Sequence, residues 1–584
     1  MTSGSTCKKY TVHFEPDNID IVVDEGANLM ETAVAAGVHI NASCGGAGVC
    51  GTCNVLIKSG FVGSTRTDKV SDKDYKKGMR QSCQSRVTSD LIVEIPVESR
   101  LEKAVLARES KDITAQITAA LVSGWRFDPP VKKLYLELPV PTLEDNVSDL
   151  SRLLRGIKQQ YRLDNITVDF EVLARLAQIL RSGNWQVTAT ILLEDDSNFK
   201  IINIEPGDSR TRHYALAFDI GTTAVRGQLL DLNRGKILAH GIDYNRQISY
   251  GEDVISRIAW SQKTGGLKRL QRAVVATIND LIKELVDFAG IEVKDISHMV
   301  VAANTVMVQL LLGLDPKYLR LSPYVPTVST APLVKAKSLG INTGEHVHLY
   351  TVPAVASYVG GDIVSGILGA GVHQYYATTL YIDIGTNGEI VIGNSELMVT
   401  ASCSAGPTFE GGGIKNGMIA TPGAIEGFKI NPANLEPVIT TIDNEKPKGI
   451  CGSGLINIAA AMLKAGIITQ NGKFNTDLPT ERIRQGEDGY EYILVPAPET
   501  QIDKDIVITE IDMDNLIRSK AAMYAGYITL IKSIGSRRTE IDRVIIAGTF
   551  GSNIDIENAI TIGLLPDLPR DRFIFIGNGS LLGA

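Results

Sequence analysis

One pattern, written twice along this chain, limits its fold more than any other feature. Ala215-Leu-Ala-Phe-Asp219-Ile-Gly221-Thr222-Thr223 is an apolar strand that runs into an acid and a Gly-Thr-Thr turn. The pattern returns 164 residues later as Leu380-Tyr-Ile-Asp383-Ile-Gly385-Thr386-Asn387-Gly388. After each turn a second strand follows, Ala224–Leu230 and Glu389–Ile392. These are β-hairpins, not the strand-to-helix turn of a P-loop. Backbone N–H groups and hydroxyls in such a turn can cradle phosphate oxygens, which selects Gly221, Thr222, Thr223, Gly385, Thr386 and Asn387. An acid at the strand end can hold Mg2+ through water or orient an attacking water, which selects Asp219 and Asp383. A single Asp-x-Gly-Thr turn means little, because turns commonly use these residues, and each Asp could simply cap its own turn. Two copies on matching strands predict a two-lobed α/β body. A third element, Asp542-Arg-Val-Ile-Ile-Ala547-Gly548-Thr549-Phe550-Gly551, is a strand and glycine turn suited to lie under an adenine and ribose through Gly548 and Gly551.

A second constellation lies near the N-terminus. Of seven cysteines, four fall within Cys44–Cys83, spaced C-x5-C-x2-C and then Cys83 after 29 more residues. Clustered cysteines in a chain expected in a reducing compartment point to metal rather than disulfides. The loop Gly45-Gly46-Ala47-Gly48-Val49 between the first two is rich in glycine. Residues without Cβ let backbone N–H groups turn closely toward cluster sulfurs. Zinc is the alternative, but zinc ribbons prefer paired C-x2-C knuckles, and only one pair is present. The segment resembles a [2Fe–2S] ferredoxin of β-grasp type over about 90 residues. One residue more than the plant-type C-x4-C-x2-C gap brings it nearer the adrenodoxin-like branch. The resemblance implies that Cys44, Cys50, Cys53 and Cys83 hold the cluster. Cys7 lies outside it, and Cys403 and Cys451 read as small buried apolar side chains.

The rest of the pattern places these sites in domains. Tyr10–Phe14 and Ile19–Val23 alternate as hairpin strands, Asn28 caps a helix over Leu29–Ala36, and Cys53–Ile57 and Leu91–Ile95 complete a small unit at residues 1–97. The charged run Glu98–Lys111 opens a linker at 98–125. Strand-like runs at Lys133–Leu138 and Gln186–Leu193, with helical periodicity at Val147–Arg162 and Glu171–Arg181, predict a small α/β middle domain at 126–207. The body is expected over 208–584. The fold class is therefore α+β and α/β multidomain. A net charge of −8 and 6% aromatics argue against a nucleic-acid binder. The longest apolar stretch, Met299–Leu314, contains Asn304 and Gln309 and is too short to span a bilayer. A cytoplasmic location and no membrane partner are expected.

The two hairpins and the Gly548 turn resemble the phosphate-1, phosphate-2 and adenosine motifs of the actin, sugar-kinase and heat-shock ATPase superfamily. That resemblance implies two ribonuclease-H-like lobes closing on ATP. Nearly the whole chain resembles the reductive activators of corrinoid proteins. The segments that carry this are Tyr250-Gly-Glu-Asp-Val-Ile-Ser-Arg257, Asn304-Thr-Val-Met307 with Leu312-Gly-Leu-Asp-Pro316, Val359-Gly-Gly-Asp362, Gly406-Pro-Thr-Phe-Glu410 and Gly449-Ile-Cys-Gly-Ser-Gly454. The resemblance implies ATP-dependent one-electron reduction of a Co(II) corrinoid to Co(I) on a partner protein, fed by a low-potential electron donor. It also implies a closing helix and strand beyond Ala584, on which the family's homodimer contacts would depend. No Asp-x-His-x-x-Gly corrinoid motif occurs, so the cobalt is expected on another polypeptide. Three rivals remain at this level: a small-molecule kinase with a ferredoxin sensor, a nucleotide-gated electron-transfer module without hydrolysis, and an activator of 2-hydroxyacyl-CoA dehydratases.

Overall fold

A computed structural model describes residues 8–40, 42, 46–96, 99, 127–195, 197–385, 387–487, 489–548 and 554–584. The linker expected at 98–125 falls outside them, apart from Ser99. The described residues form two compact units, one ending at Pro353 and the other running over Ala354–Gly583.

The first unit contains three sheets that matter for function. In the N-terminal sheet the strands run in the order Ile19–Asp24, Lys9–Glu15, Leu91–Glu94, Asn54–Ser59 and Met79–Gln81. Lys9–Glu15 alternates because Tyr10, Val12 and Phe14 enter the core while Lys9 and Thr11 face out. It pairs antiparallel with Ile19–Asp24 and parallel with Leu91–Glu94. The helix Leu29–Ala35 starts where expected, since the Asn28 side chain accepts from the N–H groups of Met30 and Glu31. This helix on a mixed sheet, with a second short helix at Asp72–Lys76, is the ferredoxin-like arrangement expected around the cysteine loop.

The next sheet orders Val131–Glu137, Gln186–Leu193, Phe199–Pro206 and Ile166–Val168. Helices Asp149–Tyr161 and Phe170–Ser182 bury Leu153, Ile157, Leu176 and Leu180 against it. Phe199–Pro206 and the edge strand Ile166–Val168 were not evident in the sequence.

The third sheet carries the first Asp-Ile-Gly-Thr hairpin. Its order is Lys236–Tyr244, Ala224–Asp231, Tyr214–Ile220, Ile296–Ala303, His348–Thr351 and Val334–Lys335. Tyr214–Ile220 is central and covered on both faces, which is why it reads as a continuous apolar run. The 24-residue helix Gly266–Ala289 packs its Leu270, Val274, Ile278, Leu281 and Leu285 stripe into this core. The apolar stretch Met299–Leu314 breaks at Asn304. That side chain accepts from Met307 N at 2.9 Å and starts the helix Thr305–Leu312.

The second unit repeats the plan. Met398–Cys403, Gly388–Gly393, Thr379–Ile384, Arg543–Ala547 and Phe573–Gly577 lie side by side in that order. The first three pair antiparallel and the remaining pairings are parallel, as in the first five strands of the other sheet. The helices Gly452–Lys464 and Glu510–Ser533 cover this sheet with Leu455, Ile456, Leu516, Met523 and Tyr527. Cys451 takes the N-cap position of the first of these helices, three residues before the Gly454 end of its motif. Among the described residues no helix is long and apolar enough to cross a membrane.

Candidate functional site

The thiolate loop sits between the end of the helix Leu29–Ala35 and the strand Asn54–Ser59. Gly46, Gly48 and Gly51 have φ of 82°, 81° and 82°, a left-handed conformation that glycine adopts without strain. A Cβ on Gly48 would come within 3.0 Å of Gln84 Nε2. Gln84 in turn donates to Gly46 O at 3.0 Å and toward Cys83 Sγ at 3.5 Å, so it ties the loop to the fourth cysteine. The Cys53 and Cys83 sulfurs are 3.3 Å apart and both residues are buried. A tetrahedron of thiolates with metal–sulfur bonds of about 2.3 Å has an edge of about 3.8 Å, so the two sulfurs lie within about half an ångström of that spacing. The Cys83 thiol beside it, against the cost of burial, pulls the Cys53 thiol down to about 6. Cys50 lies on the loop with its sulfur 3.1 Å from Thr52 Oγ1. Cys44 lies outside the described residues, and among those described no three His, Cys, Asp or Glu side chains converge on one point. The donor set and the Cβ-free cradle fit an iron–sulfur cluster.

The first Asp-Ile-Gly-Thr hairpin is braced from behind. Gly221 N donates to Ala224 O at 2.9 Å, and a Cβ on Gly221 would lie 2.8 Å from that same oxygen, so the turn needs glycine. Asn245 donates its side-chain amide to Gly221 O at 2.9 Å and its backbone N–H to Thr223 O at 2.9 Å. Arg257, fully buried, donates to Thr222 O, to Gly251 O at 2.8 Å and to Gln247 Oε1 at 3.2 Å. Burial drags its guanidinium down to about 9, which still leaves it cationic at neutral pH. Asn304 Nδ2 reaches Thr222 Oγ1 at 3.5 Å. Asp219 is buried and stands in register with Arg226, whose guanidinium is 4.0 Å from it. Thus Asp219, Gly221, Thr222 and Thr223 are gathered at one strand end.

The second hairpin differs in charge. Gly385 N donates to Asn387 O at 3.0 Å, closing the turn; Thr386 lies outside the described residues. Asp383 stands in register with Glu389, not with an arginine. Burial, and then the Asp362 and Asp383 carboxylates, raise Glu389 well above the ordinary carboxyl range, while Ser402 Oγ donates to its Oε1 at 3.4 Å. Gly548, at φ 88°, ends the neighbouring strand so tightly that a Cβ would sit 3.0 Å from Asp383 Oδ1 and 2.6 Å from Ile384 O. Asp383, Gly385, Asn387 and Gly548 are therefore adjacent. Gly551, the other residue expected at the adenosine, lies outside the described residues.

Sequence reasoning gave no role to Arg226, Asn245, Arg257, Asn304 or Glu389. Two weak signals existed: Asn304 interrupts an apolar run, and Glu389 is an acid at the start of a buried strand.

Comparison with known proteins gives four adjoining family matches. Residues 12–88 match the 2Fe-2S iron-sulfur cluster binding domain, 120–211 the RACo linker region and 214–375 the RACo middle region. Residues 377–584 match the C-terminal domain of RACo, described as the ASKHA domain. A solved structure titled reductive activator for corrinoid, iron-sulfur protein is 43% identical, with 98% of this chain and 91% of that one covered and a TM-score of 0.70. The corrinoid activation enzyme RamQ of Eubacterium limosum is 29% identical over 97% of this chain and 90% of its own. The [Co(II) methylated amine-specific corrinoid protein] reductase of Methanosarcina barkeri is 24% identical over 63% of this chain and 68% of its own.

Proposed function

Because this chain belongs to the reductive activators of corrinoid proteins, we propose that it uses ATP to drive one-electron reduction of a Co(II) corrinoid to Co(I) on a separate protein. The observation that carries the reading is the presence, on one chain, of a glycine-cradled thiolate loop and two Asp-Ile-Gly-Thr hairpins on sheets of the same strand order. When bound, the [2Fe–2S] cluster supplies the single electron. Cys44, Cys50, Cys53 and Cys83 hold it, and the glycine loop offers the short approach that an acceptor needs; Val49 there is 64% exposed. A low-potential electron donor restores the reduced state, and the reaction belongs to the cytoplasm.

The energetic difficulty is one of potential. A ferredoxin of plant type sits near −400 mV. An acceptor about 120 mV lower disfavours transfer by roughly a hundredfold, since each 59 mV is tenfold for one electron. That is under 3 kcal/mol, which one ATP readily covers. The Gly221–Thr223 and Gly385–Asn387 turns bind phosphate oxygens through backbone N–H groups. Gly548 and Gly551 give the adenosine a surface free of side chains. Asp219 is compensated by Arg226 and serves to fix its turn. Asp383, paired in register with Glu389, is the acid to which we assign Mg2+, held through water. Glu389, whose surroundings favour its neutral form, can hold a proton at its carboxyl until a cation arrives.

The test mixes reduced protein, MgATP and a Co(II) corrinoid protein and follows the visible spectrum. Co(I) should appear with ATP and fail to appear without it. Equal reduction with a non-hydrolysable analogue would instead identify a gate that needs binding only.

A further inference from the structure

The strip from Asp243 to Gly251 touches two functional parts of the first unit at once. On one side it holds the phosphate-1 turn. Asn245 binds the carbonyls of Gly221 and Thr223, and the buried Arg257 joins Gly251 O and Gln247 Oε1 to Thr222 O. On its other side it meets the ferredoxin-like domain. His39, 7% exposed, lies with its ring centroid 5.6 Å from that of Tyr244 and its Nε2 3.4 Å from Asp243 Oδ1. Val34, 8% exposed, projects out of the helix Leu29–Ala35 into the apolar cluster that contains Tyr250, Val254 and Ile258. Gly37 comes so close that a Cβ would stand 2.8 Å from Arg246 Nη2.

The covalent geometry links the two sides. Gly221 C=O and Thr222 N–H belong to one rigid peptide plane, and Thr222 C=O and Thr223 N–H to the next. A phosphate that draws those N–H groups toward it must turn the carbonyls that Asn245 and Arg257 hold. It also polarises the same peptides and strengthens the hydrogen bonds their carbonyls accept.

We propose that Asp243–Gly251 is a docking platform for the chain's own ferredoxin-like domain, and that nucleotide phosphate at the Gly221–Thr223 turn firms the platform and tightens the docking. The partner surface is the end of the helix Leu29–Ala35 with His39. Coupling of this kind is reciprocal, so a docked domain must tighten nucleotide binding by the same factor that nucleotide tightens docking. The inference rests on the reading of Gly221–Thr223 as a phosphate site.

The experiment is amide hydrogen exchange on the full-length holoprotein with and without saturating MgADP, beside a direct binding titration of MgADP. Bound nucleotide should slow exchange in Leu29–Ala35 and in Asp243–Gly251 by about fivefold or more, in the range usual for coupled sites. His39→Ala and, separately, Val34→Ser should abolish the effect in the helix and weaken MgADP binding by a matching factor. The visible spectrum of the cluster reports that the variant domain is still folded. Binding with unchanged or faster exchange in Leu29–Ala35 overturns the docking proposal alone, as does full coupling in both variants. Failure of MgADP to bind overturns the phosphate site and the docking proposal together.

Discussion

Arg257 carries a charge with no exposed surface, and it donates to backbone carbonyls of the Gly221–Thr223 turn and of the segment beside it, and to Gln247 Oε1. Removing a buried, hydrogen-bonded cation from such a network costs several kcal/mol because its partners are left unsatisfied. Arg257→Met should therefore raise the nucleotide Kd at least about tenfold, and Arg257→Lys should recover part of it. An isothermal titration with MgADP reads both, and an unchanged Kd in the methionine variant would remove Arg257 from the site. At the cysteines the expectation is the reverse. Cys50→Ala should lose corrinoid reduction while nucleotide binding survives, measured in parallel on one preparation. The two positions also differ in how legible they were. Thiolate spacing is a local signature, readable in one line of sequence. Arg257 acts 35 residues away from Thr222 on a main-chain oxygen, and a carbonyl acceptor leaves no trace in residue type. Glu389 was hidden for a related reason: its unusual state arises first from burial and then from Asp362 and Asp383, which strand register and a neighbouring helix bring to it.

At the level of elements, glycines decide which pieces pack. The helix Gly361–Gly369 meets the short helix Gly579–Gly583 and the strand Thr379–Ile384 through positions without side chains. A Cβ on Gly366 would lie 2.1 Å from the Tyr381 hydroxyl, which is part of a fully buried side chain. Gly366→Ala forces that tyrosine aside, so a loss of about 1–3 kcal/mol is expected, read as a lower chemical-denaturation midpoint at constant slope. The motif Val359-Gly-Gly-Asp362 stood out in the sequence, but nothing there tied it to Tyr381. Elements with a strong period were legible. The expected helix Val147–Arg162 is observed as Asp149–Tyr161, and both hairpins occur where the doubled pattern put them. The three-residue strand Ile166–Val168 was not, because so short a run has no period and is defined only by pairing with Phe199–Pro206.

Across the whole first unit, buried histidines collect where the four-stranded sheet meets the six-stranded sheet. Burial is the main cause that holds His213, His298 and His346 down to about 4, and it lowers His348 as well. Around them stand Lys133, Glu205, Asp231, Asp169, Lys335 and the His348 ring itself. An unfolded histidine takes up its proton near 6.5, so between that pH and about 4 the unfolded chain binds more protons than the native one. The contribution of these histidines to stability should be flat above pH 7 and fall steadily from about 6.5 toward 4, by on the order of 2–3 kcal/mol for each of His213, His298 and His346 at the low end. Urea denaturation across that range checks the sign. A midpoint that rises on acidification would mean these rings are charged in the native state.

The five-strand order shared by the two sheets has a historical reading. Two halves with one connectivity and one turn motif are what duplication of an ancestral half-gene leaves behind. On that reading the matching position carries opposite charges in the two halves, Arg226 opposite Asp219 and Glu389 opposite Asp383. A twin pair has thereby acquired a left and a right hand: one copy sets its carboxylate against a guanidinium, and the other sets two carboxylates side by side.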